Sequence, residues 1–466
     1  MKSASPPLCI AILAAGQGKR MHSDLPKVLH PLGGSPLLSH VLAAARSLHP
    51  DAIVVVVGHG AAQVRERLGA PDLDWATQEQ QLGTGHAVLQ AMPLLPAQGI
   101  VLVLYGDMPL VRAATMRALV DATGGDSLAI LTMMGEVPRG YGRIVRDAQG
   151  RVARIVEEKD ATARDLQSRE ANVGLIAAPY AKLAGWLAGL RKANAQGEYY
   201  LTDIVAAAHA QGEAVNACHP AYAHERLGVN SKSDLAQMER LLQADRAKQL
   251  LDAGVTLADP SRLDVRGELT CGRDVSIDVN CIFEGRVTLA DGARVGANCI
   301  LRDVTVGPGT EVLPFTLIEG AVIGAHARIG PFARIRPQTT LADQVHVGNF
   351  VEVKASDVGL ASKANHLSYL GDTTVGAHVN IGAGTITCNY DGVNKHKTII
   401  GDGVFIGSDS TLVAPIRLGN GAYVGAASCL TEDVPGDALA LARARQTNKE
   451  GWAKQKREAM AAAKKK

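Results

Sequence analysis

The chain has 466 residues, more than one hydrophobic core usually organises, so two domains are expected. Its net charge of +2 excludes general affinity for nucleic acid or membrane surfaces, apart from the terminal Lys464, Lys465 and Lys466. Only 4% of residues are aromatic and 49 are glycine, a composition that fits an interior packed by Val, Ile, Ala and Thr between recurring turns. No apolar stretch approaches the ~20 residues of a membrane span, and the N-terminus lacks a signal-peptide layout. Seven cysteines occur without a CxxC pair, which argues against a zinc knuckle or redox motif and for a cytoplasmic protein.

In the first half, the apolar runs Leu8 to Leu13, Ile53 to Val57 and Ile100 to Leu104 have strand length. Helix-like stretches, Leu37 to Arg46 and Ala61 to Leu68, lie between them. This alternation predicts a parallel α/β sheet with ligands at the carboxyl ends of its strands. Less regular strands are expected around Ser127 to Thr132, Arg143 to Val145, Arg151 to Val156 and Val173 to Ala177. The first strand runs into Ala14-Ala15-Gly16-Gln17-Gly18-Lys19-Arg20-Met21. A GxG pair alone is usually an ordinary turn, but Arg20 and Lys27 follow closely and Pro26 fixes the chain before Lys27. Backbone N–H groups plus two cations make a site for a triphosphate with a departing pyrophosphate.

Ser233 to Leu251 has helical period, with Leu235, Met238, Leu241, Leu242 and Leu250 on one side and Ser231 or Ser233 as cap. It reads as a linker helix, giving domains at 1–232 and 254–466 with the helix over 233–253. From Leu289 to Leu430 an aliphatic residue returns almost every six positions, as in Ile323, Ile329, Ile335, Leu341, Val347 and Val353. Period six suits neither a helix nor a two-faced strand. It fits a solenoid of short strands, three hexads to a coil, with the glycine after many of the aliphatic residues expected to make the turns. Residues eighteen apart should stack, among them Cys281 and Cys299 as two reduced core thiols. The hexads begin loosely near Leu263 and end near Pro435; a disordered basic tail with Lys449, Lys454 and Lys456 should follow.

The beat breaks after Ile381-Gly382-Ala383-Gly384-Thr385 and resumes at Ile400, which leaves Cys388 to Gly392 and His396 on an extruded loop. His366, at an outward hexad position, is of a residue type that can take a proton from an attacking amine.

LAAGQGKRM followed by LPKVL resembles the signature of the nucleotide-sugar pyrophosphorylases. The likeness continues through Gln78, Gly83-Thr84-Gly85-His86, Tyr105-Gly106-Asp107-Met108-Pro109-Leu110, Gly140 to Ile144, Val156 to Lys159 and Gly228-Val229-Asn230. With His366-Leu367-Ser368-Tyr369 and the hexads, nearly the whole chain resembles the bifunctional N-acetylglucosamine-1-phosphate uridyltransferase and glucosamine-1-phosphate acetyltransferase family. The resemblance implies a Rossmann-like nucleotidyltransferase followed by a left-handed parallel β-helix. It assigns Leu13, Ala14, Ala15, Gly16, Lys27, Gln78, Gly83 and Thr84 to the uridine nucleotide of UTP. Tyr105, Gly106, Gly142, Glu157 and Asn172 go to the sugar and ribose, although Val173 stands where the family pattern carries Thr. Asp107 and Asn230 would ligate Mg²⁺, and Arg20 would stabilise the departing pyrophosphate. In the second half it makes His366 the catalytic base and places glucosamine-1-phosphate at Arg336, Lys354, Tyr369 and Asn380, with Glu352 as a further candidate. Acetyl-CoA would meet Ala383, Asn389, Tyr390, Ser408, Ala426 and Arg443. The implied partners are these small molecules and two further copies in a homotrimer, in a route that feeds peptidoglycan and lipopolysaccharide synthesis.

Two other readings compete. A single nucleotidyltransferase could carry the solenoid as a regulatory, oligomerising module, but the His366 segment and the extruded loop argue against it. A non-catalytic nucleotide-sugar sensor would not need Arg20, Lys27 and Asp107.

Overall fold

A computed structural model describes residues 6–464, so Lys465 and Lys466 lie outside the described residues. The chain divides into two compact units, Met1–Arg246 and Ala247–Lys466. The helix Lys232–Asp252 runs across the division and extends one residue beyond the expected span at each end.

In the first unit, the central strands Leu8–Ala14, Ala52–Val57 and Ile100–Tyr105 are parallel and almost wholly buried. Their unbroken aliphatic runs match burial on both faces. Leu73–Thr77 extends one edge in parallel. The sheet is mixed rather than all-parallel. Glu170–Pro179 inserts antiparallel between Ile100–Tyr105 and Leu128–Met134, and Val215–Cys218 closes the far edge. The expected strand at Val173 to Ala177 is therefore only the middle of a ten-residue strand. Its register slips between Asn172 and Ile176, and this bulge, with Gly174 at φ +108°, bends the strand beside the cleft described below. Arg143–Arg146 and Val152–Val156 pair as a hairpin that joins this strand at Ala171.

The second unit is a three-walled parallel β-helix. Successive coils pair at 17 or 18 residues, as in Val353 with Leu370 and Ile329 with Val347. All twelve aliphatic residues of its cleanest runs, Ile323 to Val353 and Ile400 to Leu430, are buried in one continuous core. Cys281 and Cys299 are free, buried thiols in that core, each pushed up by burial, to about 12 and about 11. The coils start at Thr256–Leu257 and run to Leu439–Ala440, one strand beyond the expected limit at each end.

The glycines do a different job from the one expected. Most of those after a core aliphatic residue do not have positive φ. At Gly307 an added Cβ would lie 2.5 Å from the backbone carbon of Gly324 in the next coil, so the constraint there is close coil-to-coil approach. The turning itself falls to larger residues at positive φ, including Phe315, Phe332, Phe350, Leu367, Asp409 and Ala427 on one corner. The tail is also corrected: Trp452–Ala463 forms a helix, with no buried residue, where a disordered extension was expected.

Candidate active sites

In the first unit, two lobes of about 280 and 380 Å³ share Thr84, Tyr105, Asp107 and Glu198. Both lie at the carboxyl ends of the Leu8–Ala14 and Ile100–Tyr105 strands, the usual ligand position in such sheets. The smaller lobe is lined by Leu13, Ala14, Ala15, Gly16, Lys27, Gln78 and Gly83. Arg20, Gly142, Glu157, Asn172 and Asn230 line the larger. Gly106 alone of the expected residues lines neither. Its N–H donates to the Leu13 carbonyl (2.9 Å), and a Cβ there would sit 3.2 Å from that of Ala14, so it closes the floor.

The glycine turn is held by its neighbours. Gly18 has φ +64°, and a Cβ would lie 2.8 Å from Cβ of Lys27, so the turn and the lysine stem are packed together. The Lys27 ammonium is ion-paired with Asp107 and lies 3.3 Å from Asn230 Oδ1. Asn230 is positioned by the start of the long helix. There Ser231 Oγ accepts from the Asp234 N–H (3.2 Å), and Asp234 Oδ2 accepts from the N–H groups of Ser231 (2.9 Å) and Asn230 (3.0 Å). This reciprocal capping box selects Ser231 over Ser233 as the cap. Gln78 is buried, and its Nε2 lies 3.0 Å from the Gly83 carbonyl and 3.1 Å from His86 Nδ1, which fixes the amide plane.

Burial pushes the Tyr105 phenol up, with Glu157 and Asp107 adding to the shift. Burial also raises the Glu157 carboxyl, partly countered by the Thr202 hydroxyl, which donates to Oε1 at 2.9 Å. Glu158 does not line the lobe and accepts from the Gly140 N–H, so of this adjacent pair it is Glu157 that faces the cleft. Asn172 Oδ1 accepts from Gly174 N–H (3.1 Å) across the bulge, and a Cβ on Gly174 would strike the Tyr105 ring at 2.9 Å. Val173 lines the larger lobe without disturbing this turn.

In the β-helix, Arg336 Nη1 lies 2.8 Å from Glu352 Oε1 and Lys354 Nζ lies 3.4 Å from Asp372 Oδ2. The Asn389 amide donates to the same Asp372 carboxylate. Tyr369 pairs beside Glu352 on the second wall. Lys395 of the extruded loop is lowered by the neighbouring Lys354 ammonium. His366 ends a strand of the first wall, so the set spans two walls around the corner at Leu367. His366 Nδ1 lies 3.1 Å from Asn349 Oδ1, a contact in which a neutral imidazole would donate from Nδ1 and keep Nε2 as its acceptor. Asn380 is the outlier: it pairs with Lys363 and Phe405 on the first wall, before the corner.

The coil register carries His366 on to Ala383, Ser408 and Ala426, each two residues beyond the buried Ala364, Ile381, Ile406 and Val424. Arg443 Nη1 donates to the Ala426 carbonyl (3.0 Å) at the far end. At roughly 4.8 Å per coil this column of small residues runs about 14 Å from the imidazole. The loop bearing Asn389 and Tyr390 lengthens the coil interval to 25 residues. It is braced by Asp391, whose carboxyl is held well below its ordinary range chiefly by His396, 2.7 Å away.

The chain matches the MobA-like NTP transferase domain over residues 10–258 and the GMPPB C-terminal domain over 265–374. It is 59% identical to the bifunctional protein GlmU of Ralstonia nicotianae, over 97% of this chain and 100% of that protein. The GlmU proteins of Ralstonia pickettii and Cupriavidus pinatubonensis are 59% and 58% identical, over 96% and 95% of this chain and 99% and 98% of theirs. The chain belongs to the bifunctional GlmU family. The family's order, a Rossmann-like nucleotidyltransferase before a left-handed β-helix, is the order found here. Sequence reasoning missed Gln81, whose amide donates to the Ala15 carbonyl (2.6 Å), and Glu198 and Thr202 on the cleft walls. These sit in irregular segments without periodicity. Asp372 was findable, because it closes the Tyr369-Leu370-Gly371-Asp372 stretch beside the histidine.

Proposed function

We propose that this chain is a bifunctional transferase of UDP-N-acetylglucosamine synthesis. The β-helix transfers acetyl from acetyl-CoA to glucosamine-1-phosphate. The α/β unit then joins the product to UMP from UTP and releases pyrophosphate. The observation that carries the reading is the presence of two chemically different sites on one chain. One pairs an ammonium with a carboxylate and an amide oxygen; the other sets an imidazole held by Asn349 and a column of small residues on one side of a corner, with two ion-paired cations on the adjoining wall.

In the first site the fit to Mg²⁺ rests on convergence. Asp107 and Asn230 oxygens both reach one ammonium, so they lie close enough to share one cation. A hard divalent ion that keeps several waters needs no more from the protein. The bound ion would offset charge on the triphosphate. Lys27 and Arg20 hold the phosphates, Gln78 presents an amide to the pyrimidine edge, and Glu157 and Asn172 orient the sugar. Positioning and charge carry such a displacement without a side-chain nucleophile.

In the second site His366 Nε2 accepts a proton from the sugar amine as it attacks the thioester carbonyl, and CoA leaves as the thiol. Arg336 and Lys354 bind the 1-phosphate, with Tyr369 and Glu352 beside the sugar. The pantetheine arm lies along Ala383, Ser408 and Ala426 towards Arg443, against Asn389 and Tyr390. Exposed Phe315, Phe332 and Phe350 stack at 4.9 and 5.4 Å along the corner that continues to Leu367. Such an apolar ladder supports burial against other copies in a homotrimer, whose neighbour would bring Asn380 to the sugar. The functional boundaries proposed are 1–232 and 254–466, with the segment 233–253, nearly all of it within the helix Lys232–Asp252, as the linker. Among the described residues no helix is long and apolar enough to cross a membrane.

One assay tests the reading. Glucosamine-1-phosphate and acetyl-CoA should release free thiol, and pyrophosphate should appear only after UTP and Mg²⁺ are added. Pyrophosphate from N-acetylglucosamine-1-phosphate with no thioester cleavage would leave a lone nucleotidyltransferase; neither release would leave a sensor.

A further inference from the structure

The sugar lobe of the uridylyl site contains a cation with no role so far. Glu157, Asn172, Gly142 and Tyr105 carry no positive charge, yet the acceptor brings a phosphate into the cleft. Arg226 lines this lobe, half-buried, and its Nε is fully buried without a hydrogen-bond partner. Among the described residues no carboxylate lies within ion-pair distance of it. A guanidinium with a desolvated, unused donor is costly unless a ligand meets it.

Its backbone is held firmly. The Tyr141 hydroxyl donates to the Arg226 carbonyl (3.1 Å), and the Val229 N–H donates to the Asp107 carbonyl (2.9 Å). The adjacent Glu225 is fully buried and accepts from the N–H groups of Arg112 (2.9 Å) and Tyr222 (3.1 Å). The segment that carries Arg226 is therefore tied to the proposed metal ligand at one end and to the wall of the sugar lobe at the other. The other two arginines of the lobe are less suited: Arg139 is exposed, and Arg20 belongs to the glycine turn that faces the triphosphate.

We propose that Arg226 binds the phosphate of the acceptor sugar-1-phosphate and aligns its oxygen for attack on the α-phosphorus of UTP. The proposal rests on the uridylyl-transfer reading. A planar guanidinium can hold two non-attacking oxygens while a third is left free.

The test uses the full chain with Arg226→Met and Arg226→Lys and compares KM for N-acetylglucosamine-1-phosphate with KM for UTP. Loss of a charge-assisted bond should raise the acceptor KM of R226M by about ten- to a hundredfold while the UTP KM moves less than about twofold. R226K should fall between wild type and R226M. A structural role would not predict a pH signature. In wild type the acceptor KM should rise as pH falls through the phosphate's second ionisation near about 6, and this rise should flatten in R226M. An unchanged acceptor KM in R226M overturns the proposal, as does an equal rise in both KM values that R226K fails to reverse. Wild-type chain that releases no pyrophosphate would instead sink the underlying reading.

Discussion

The two units gather functional side chains by opposite means. In the α/β unit the cleft collects residues from Leu13 to Asn230, brought together because separate strands end at the same edge of one sheet. In the β-helix, Asn349, His366, Ala383, Ser408 and Ala426 follow one another at coil intervals down a single corner. The first arrangement gives a cleft built around one ion-paired centre, Lys27 with Asp107 and Asn230. The second gives a linear track with chemistry at one end. A cleft of this kind suits a compact, highly charged transition state, and a track suits a long donor such as a thioester arm.

The comparison is broken most severely at the two centres. Asp107→Asn should lower uridylyl transfer by about a thousandfold, the several kcal/mol a metal-held phosphate provides, with acetyl transfer unchanged. Comparable loss of both activities would show that the sites are not separate. His366→Ala should lower acetyl transfer by about a hundred- to ten-thousandfold and leave pyrophosphate release intact, measured as free thiol against pyrophosphate. Arg20→Ala is expected to reduce uridylyl turnover by about tenfold or more with little change in UDP-N-acetylglucosamine affinity, since its role is with departing charge. Equal loss of turnover and product-sugar binding would assign it to ground-state binding. The mildest change sharpens the track. Ala426→Leu should raise the acetyl-CoA KM by about tenfold, as a clash of about 1.4 kcal/mol implies, without altering the KM for glucosamine-1-phosphate. A shift in the sugar KM instead would move the arm off this column.

How much was legible differed between the units for the same reason. The six-residue beat exposed the β-helix, because every coil repeats one local solution and its core positions are aliphatic. The beat could not say why glycine follows those positions. That depends on the next coil's backbone, 2.5 Å from a Cβ at Gly307, and such contacts are invisible locally. Nor could it show that Phe315, Phe332 and Phe350 turn the corner at positive φ, where large residues are uncommon. In the α/β unit the first strands and both early helices were readable from apolar runs. The Glu170–Pro179 strand was read only in its middle, and its antiparallel direction not at all, because that is set by its neighbours rather than by its own residues. The ordered motifs located most of the cleft. Gln81, Glu198, Thr202 and Arg226 lay in segments with no pattern to announce them.

Mixing the two inactivated chains tests the separation of the sites most directly. H366A and D107N, each alone, should make almost no UDP-N-acetylglucosamine from glucosamine-1-phosphate, acetyl-CoA, UTP and Mg²⁺. Combined in one tube, they should restore its synthesis, since the acetylated intermediate made by one chain is the substrate of the other. No product from the mixture, with each chain folded and keeping its remaining half-reaction, would contradict two sites that act in sequence and independently of each other.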